Sequence, residues 1–274
     1  MLALIFISPG IWAKAPRAPK KLKFKRLQLG VEYAAPLIAG ATLPVAVADR
    51  RLHIVRVDPT KAKLRALIAG RLDGKQRTAG QWARRHKLAV AINLGMYRHD
   101  HLTHVGFLRA GRHENNRRWT STYQSVLVFG PLVGKIKAQI LDRDRPGFSK
   151  HRHYETVVQN LRLIRAPGVS VWKKNRKRWS EAALAIDNRH RLLFIFCRAP
   201  YSMKVFSRLL LDLPLSIVRA MHMEGGPEAS LSIRAKGLTI DLAGSYETGF
   251  NENDSNRRQW ALPLVLGVER ANTN

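Results

Sequence analysis

The most restrictive feature of the sequence is a glycine-rich turn that closes an apolar stretch in the last third of the chain. The stretch from Ala220 to Met223 is apolar and alternating, and Glu224 then leads directly into Gly225-Gly226-Pro227. This order predicts a β-strand that ends in a tight turn. Because glycine lets a ligand approach the main chain closely, the turn is also a candidate site.

The turn presents acidic groups, which are scarce in this chain. Glu224 and Glu228 flank it, and His222 and Ser230 lie just outside. The 274 residues include 48 lysines and arginines but only 19 aspartates and glutamates, and six of these acids fall between residues 224 and 254. Because the chain has a formal charge of +29, this cluster of acids is better explained by a functional site than by a contribution to solubility. The alternative is a β-turn whose carboxylates face water.

Short apolar and alternating runs predict more strands than helices. The strand patterns cover residues 52–58, 64–68, 88–92, 125–129, 156–158, 181–186, 192–196 and 260–268. One helix pattern begins after Thr78, with Gln81 three residues later as in a capping box, and another runs from Ser202 to Leu213. Strands and helices do not alternate regularly. We therefore expect an α+β fold with a mixed, largely antiparallel sheet and flanking helices, in a single domain over residues 27–270.

The first 26 residues differ in composition from the rest. Residues 1–15 have the apolar core of a secretion signal, with Ala13-Lys14-Ala15 as the cleavage site, and they predict export to the periplasm or the exterior. A lipid-facing anchor and a buried first strand are the alternatives. Residues 16–26 form a basic, proline-containing arm that is expected to be flexible. It is interpreted either as a solvated linker or as a tether to an anionic membrane surface.

A second strand end repeats the layout of the first. The buried strand pattern of residues 88–92 is followed by Asn93, Gly95 and Tyr97. Two such ends placed side by side would form a cleft. The only cysteine, Cys197, lies in an apolar run and is expected to be a buried small hydrophobe, so the chain has no disulfide framework.

In this order, the motifs resemble the phosphodiester glycosidase domain family, in its bacterial exopolysaccharide-related branch. The resemblance covers residues 52–268 and is carried by six pieces: residues 52–58, 91–97, 158–164, 180–187, 221–231 and 262–268. The family pattern has Asp-Gly-Gly where this chain has Glu224-Gly225-Gly226, and Gln-Ser-Gly-Pro where it has Gln159-Asn160-Leu161-Arg162. The substrate is therefore expected to differ in detail.

The resemblance implies an exported hydrolase that cleaves a sugar-1-phosphodiester in a cell-envelope or extracellular glycan. Glu224 would be the catalytic carboxylate, Glu228 its partner or a metal ligand, and His222 an acid or base. Arg162 would hold the phosphate. The other residues expected to bind substrate are Asn93, Gly95, Tyr97, Gln159, Gly225, Gly226 and Ser230. The plainer alternatives are a core histidine at His222, a surface ion pair at Arg162 and a core tyrosine at Tyr97.

No cofactor is required by the sequence, although a divalent cation such as calcium is one interpretation of the acidic segment that holds Glu247, Glu252 and Asp254. An Asn/Asp/Gly loop is the alternative. The histidines at positions 99, 101, 104 and 113 do not have the spacing of a helical metal pair, so a basic loop is favoured.

Two other function classes remain open. A non-catalytic envelope protein could bind anionic polysaccharide or lipopolysaccharide through its basic surface. A nucleic-acid binder is suggested by the charge and by the basic run at residues 173–178, between Trp172 and Trp179. The absence of a nucleic-acid motif and the predicted secretion signal make nucleic acid the less favoured partner.

Overall fold

The computed structural model describes residues 15–235 and 237–271. The predicted secretion signal therefore lies, except for Ala15, outside the described residues, and export remains a prediction. No helix in the described part of the chain is long and apolar enough to cross a membrane.

The described chain is mostly antiparallel β-structure. In chain order, the strands are β1 (Lys25–Gln28), β2 (Val31–Ala34), β3 (Leu52–Val57), β4 (Leu64–Ile68), β5 (Leu88–Asn93), β6 (Leu108–Ala110), β7 (His113–Asn116), β8 (Ser125–Pro131), β9 (Ala138–Asp142), β10 (Tyr154–Asn160), β11 (Arg162–Ala166), β12 (Val169–Ser170), β13 (Trp179–Asp187), β14 (Leu192–Tyr201), β15 (Ile217–Gly225), β16 (Ser230–Ala235), β17 (Leu238–Ala243) and β18 (Leu264–Glu269).

These strands form three sheets. The first has the order β1-β2-β3-β14-β13-β15-β11-β12, the second β7-β6-β10-β8-β9, and the third β17-β16-β5-β18-β4. Every strand pairing between named strands is antiparallel. The prediction of one mixed sheet is therefore wrong, because the strands form three sheets and each of them is antiparallel.

The predicted α+β class is wrong. Within the described residues the α-helices are α1 (Ala79–Arg85) and α2 (Met203–Asp212), and the 3-10 helices are Ala69–Arg71, Phe148–His153 and Gly226–Glu228. Two short helices cannot cover three sheets. Instead, the sheets cover one another, and segments without a clear sequence pattern, such as β16 and β17, form additional hairpins.

Both predicted α-helices are confirmed, together with their caps. Thr78 Oγ1 accepts a hydrogen bond from the Gln81 backbone N–H at 3.1 Å, and Gln81 Oε1 accepts one from the Thr78 N–H at 2.9 Å. Ser202 accepts from the Val205 N–H in the same way. Since each cap satisfies backbone donors that a helix leaves unpaired, these residues fix where the helices begin.

The main core lies where the three sheets face one another. It combines Leu184 and Phe194 of the first sheet with Leu127 of the second and Ile92 and Leu266 of the third, all fully buried. Helix α2 covers the outer face of the first sheet, and α1 packs on the outer face of the third. Cys197 is buried and free, as expected.

A β-bulge near the end of β15 places the site. His222 lies opposite Ala183 of β13, but Glu224 lies opposite Ala182, so β15 contains one extra residue, Met223, between them. A bulge of this kind rotates the strand locally and changes the direction of the following side chain. It therefore separates the faces on which His222 and Glu224 lie.

Candidate active site

The glycine turn closes β15 and requires glycine at one position in particular. Gly226 has φ of 62°, in the left-handed region that glycine adopts at little cost. A β-carbon at Gly226 would collide with the carboxylate of Glu247, and one at Gly225 would collide with the Trp179 indole. The turn therefore brings the main chain into direct contact with two side chains of the site.

His222 is held by a carboxylate that the sequence did not single out. His222 Nδ1 lies 2.7 Å from Glu181 Oε1, and Trp179 Nε1 donates to Glu181 Oε2 at 2.7 Å. Both His222 and Glu181 are buried. With Nδ1 occupied, Nε2 is the imidazole nitrogen left for proton transfer. Glu181 was not predicted as a site residue, because its partner is 41 residues away in sequence.

The protonated form of His222 is favoured. Burial lowers its pKa, but the charge of Glu181 and the hydrogen bond to it raise the pKa by more, and Glu224 and Glu247 add to the increase, so that the net pKa is raised. Burial and the hydrogen bond to Glu181 also agree with the alternative of a core histidine. A buried His–Glu pair beside further carboxylates is an arrangement suited to acid–base chemistry.

Glu224 has the most unusual carboxyl group of the site. Desolvation, opposed by His222 and reinforced by the charges of Glu228 and Glu181, raises its pKa to about 8. Among the described residues, its only hydrogen bond comes from the adjacent Gly225 N–H, at 3.1 Å. A carboxyl group with few partners and a pKa near neutrality is suited to proton transfer at physiological pH.

Two further carboxylates share this space. Burial raises the pKa of Glu228, and the charge of Glu247 adds to this shift. Burial also raises the pKa of Glu247, and the positive charge of Lys177 only partly offsets that increase. The basic run at residues 173–178 thus reaches the site at one end, where the Arg178 N–H also bonds to Thr248 Oγ1. The site has carboxylates at its centre and the positively charged Lys177 at its rim.

Two tyrosines border the carboxylates. Burial raises the pKa of Tyr97, and the charges of Glu224 and Glu228 raise it further; burial and Glu224 do the same for Tyr123. Both phenols therefore stay protonated and are available as hydrogen-bond donors. Tyr97 was a predicted site residue, whereas Tyr123 was not.

The structure brings the two predicted strand ends together. Asn93 Oδ1 accepts from the Ser230 N–H at 2.7 Å, and Asn93 Nδ2 donates to the Glu228 carbonyl at 3.0 Å. Ser230 Oγ donates to the same carbonyl. These bonds occupy the polar groups of Asn93, so this side chain holds the Glu228 turn in place.

Gln159 is also committed to internal hydrogen bonds. Its Oε1 accepts from the N–H groups of Phe107 and Thr120, and its Nε2 donates to the carbonyls of Thr120 and Tyr123, at 2.6–3.0 Å. Every hydrogen-bonding position of this buried amide is used. It positions the loop that carries Tyr123 instead of offering groups to a sugar.

Gly95 leaves room for a buried polar pair. A β-carbon there would collide with the His104 imidazole and the Asn160 amide. His104 is fully buried, and burial lowers its pKa to about 4, so its ring stays neutral. Its Nδ1 accepts from the Gly106 N–H, while Asn160 donates to the Leu94 carbonyl. These groups support the loop that carries Tyr97.

Arg162 is held by two carboxylates. Its guanidinium makes two bonds to Asp144, at 2.7 and 3.0 Å, and lies 3.2 Å from Asp142, and these contacts raise its pKa. The structure therefore corresponds to the ion-pair alternative. A phosphate would have to displace two carboxylates to bind this group.

The residues considered for calcium are dispersed. Asp254 forms an ion pair with Arg198 at 2.6 Å, and Glu252 accepts from the Gly249 N–H. Only Glu247 contributes to the carboxylate cluster. In the part of the chain that the structure describes, no group of three or more His, Cys, Asp or Glu side chains is placed to hold a metal ion.

A cavity of about 890 Å³ opens beside Glu228. Tyr97, Arg98, His101 and Trp260 are among the residues that line it. His99 and His101 thus belong to one wall of this cavity, whereas His104 is buried and His113 lies on β7. This cavity gives a ligand access to Glu228 from solvent.

Comparisons with known proteins now bear on this arrangement. No protein-family model matches the sequence, and no curated protein matches it. Solved structures, in contrast, superpose on the chain. The catalytic domain of zebrafish N-acetylglucosamine-1-phosphodiester alpha-N-acetylglucosaminidase, auto-inhibited by its pro-peptide, superposes with a TM-score of 0.60 at 14% identity, over 96% of this chain and 90% of that one. The two chains share a fold.

A second solved structure extends this finding. A hypothetical protein from Synechocystis superposes with a TM-score of 0.62 at 12% identity, over 91% of this chain and 64% of that chain. At these identities the likeness concerns the fold alone, and function has to be argued from the site.

Proposed function

We propose that this protein is an exported hydrolase of the phosphodiester glycosidase type, which cleaves a sugar-1-phosphodiester in a cell-envelope or extracellular glycan. One observation carries the proposal: Glu224, with a pKa of about 8, lies next to a buried His222–Glu181 pair on a strand-end turn. The fold shared with a phosphodiester glycosidase supports it.

We assign separate roles to the acids. Glu224, ionised near its pKa, takes a proton from the water that attacks C1 of the sugar. Glu228 stabilises the positive charge that develops on the ring, as carboxylates do in glycoside hydrolysis. The bond between C1 and the phosphate oxygen breaks, and the electron pair leaves with the phosphate.

His222 assists the leaving group. Glu181 keeps the imidazole oriented and favours its charged form, so Nε2 can donate a proton or a hydrogen bond to the departing oxygen. A phosphate monoester is a good leaving group, and charge stabilisation therefore matters more than full proton transfer. The tyrosine hydroxyls can bind sugar hydroxyls.

The test is hydrolysis of a panel of sugar-1-phosphodiesters by purified wild-type protein and by Glu224→Gln. We expect turnover by the wild type and a loss of about 10²- to 10⁴-fold in the variant, because Gln cannot accept the proton. Glu155→Gln is the matched control, since Glu155 is exposed and away from the cluster. Equal rates for wild type and Glu224→Gln would contradict the assignment.

The rival function is a non-catalytic envelope protein that binds anionic polysaccharide or lipopolysaccharide. The occupied guanidinium of Arg162 favours it, since the expected phosphate contact is absent, and the charge of +29 is consistent with it. The basic N-terminal arm would then add contact with an anionic membrane surface. Tight, salt-sensitive glycan binding without turnover of any diester would support this rival.

A further inference from the structure

The cavity beside Glu228 has two chemically different walls. One wall belongs to the loop after β5 and carries Arg98, His99 and His101. The other is formed by Trp260 in the segment that leads into β18. A volume of about 890 Å³ lies towards the upper end of the roughly 300–1,000 Å³ typical of small-molecule sites. The cavity therefore has room for more of a substrate than the bond that the carboxylates would cleave.

The aromatic wall is extended by a second ring. Trp260 is 39% exposed and Phe250 is 64% exposed, and within the described residues no other tryptophan or phenylalanine is exposed to this degree. Their ring centroids lie 6.2 Å apart in an edge-to-face arrangement. An exposed aromatic pair in which one ring, that of Trp260, lines a cavity indicates a contact surface.

The position of Phe250 is coupled to the carboxylates. The Phe250 N–H donates to the Glu247 carbonyl at 3.2 Å, and Gly249 before it adopts φ of 84°. The ring is therefore carried by the same short turn that delivers Glu247 to the site. This turn places Phe250 three residues after Glu247 of the carboxylate cluster.

The basic wall is charged and fixed at its backbone. Arg98 is exposed and has no ion pair among the described residues, while its N–H donates to the Thr103 carbonyl at 2.8 Å. Asp100 lies on the same loop, but its Oδ1 accepts from the Leu102 and Thr103 N–H groups, which hold the turn. The Arg98 guanidinium is thus free to bind an anion.

We propose that this cavity is a subsite for a sugar ring joined to an anionic group, with Trp260 and Phe250 packed on the ring and Arg98 paired with the anion. The inference rests on the proposed function, and it replaces Arg162 as the cation of the site. An aromatic face matches the C–H face of a sugar, and a guanidinium matches a phosphate oxyanion. The size of the cavity implies that the substrate continues beyond the cleaved bond.

The test measures binding by calorimetry in a Glu224→Gln background, so that no probe is hydrolysed. The probes are the methyl diester of N-acetylglucosamine 1-phosphate, N-acetylglucosamine and inorganic phosphate. We expect Trp260→Ala to weaken the diester and the free sugar about tenfold, since loss of aromatic packing costs on the order of 1 kcal/mol. Arg98→Ser should weaken the diester about tenfold and leave the neutral sugar unchanged.

Two control variants match these changes. Arg112→Ser removes the same charge from an exposed position outside the cavity, and Leu132→Ala removes an apolar side chain that is 62% exposed elsewhere. Both should bind all probes like the background. Unchanged binding in Trp260→Ala and Arg98→Ser, or no binding of the diester at all, would overturn the subsite.

The outcome separates the subsite from the proposed function. If wild-type protein hydrolyses no diester but the two cavity variants lose binding as expected, the proposed function fails and the subsite stands. If wild-type protein hydrolyses a diester but the cavity variants bind it normally, the proposed function stands and the subsite fails.

Discussion

At the scale of single residues, the site depends on carboxyl groups whose pKa values are raised by burial. Glu224 has a pKa of about 8, and Glu228 raises it through its own charge. Because of this coupling, a change in the protonation of one acid shifts the pKa of the other. Enzymes commonly obtain acid and base roles from similar side chains in this way.

The pH profile should show this coupling. We expect kcat/KM to rise with pH through about 8, because Glu224 must lose its proton to act as the base. In Glu228→Gln the rise should move to lower pH, because the removed negative charge no longer opposes ionisation of Glu224. The measurement is the pH dependence of kcat/KM on one diester. A midpoint that moves to higher pH would contradict the assignment.

Glu181 should act through His222 without contacting the substrate. Glu181→Gln keeps the shape of the side chain but removes the charge, so the pKa of His222 should fall and the high-pH limit of activity should move downward. We expect kcat to drop by about tenfold or more, with a smaller change in KM. A purely structural role would lower the stability of the fold and leave the pH profile in place.

At the scale of elements, the turn after β15 combines backbone strain with close packing. Gly226→Ala should destabilise the protein by more than the ~1–2 kcal/mol of a left-handed alanine, because the new β-carbon also collides with Glu247. Urea unfolding measures the difference. Gly74→Ala is the matched control, since Gly74 has φ of 70° and nothing within 4 Å. Equal losses in both variants would show that the collision relaxes at no cost.

The elements that the sequence predicted share a local cause. The caps at Thr78 and Ser202, the hairpin of β13 and β14 and the strand before Glu224 each depend on neighbours within a few residues. The fold class could not be predicted in the same way. Whether β5 joins β16 and β18 in a sheet separate from β13 and β15 depends on pairings between segments far apart in the chain.

The same limit applies to the site residues. The glycine turn and its acids were predictable, because the composition of a short segment carries the signal. Glu181 as the partner of His222 was not, since only the register of β13 against β15 brings the two together. The partners of Arg162 were not predictable for the same reason: Asp142 and Asp144 reach it from β9 and the turn after it.

At the scale of the whole molecule, charge should govern how the protein meets its substrate. With a formal charge of +29, and with Arg98 and Lys177 near the carboxylates, the protein should attract a polyanion over a long range. We expect kcat/KM on a polymeric phosphodiester glycan to fall about tenfold between 50 and 500 mM salt. A short diester should respond much less. Equal responses of the two substrates would contradict long-range attraction.

The way in which the turn is held has a consequence for the history of such a protein. Asn93, Gln159 and the glycines maintain the shape of the site through amide and backbone groups, and none of them is the proposed base. Loss of the Glu224 carboxylate would therefore leave the architecture and the neighbouring cavity in place. If the proposed function holds, a single substitution at Glu224 would turn the enzyme into a pseudoenzyme that keeps the turn and the cavity, so the two states would lie one step apart in evolution.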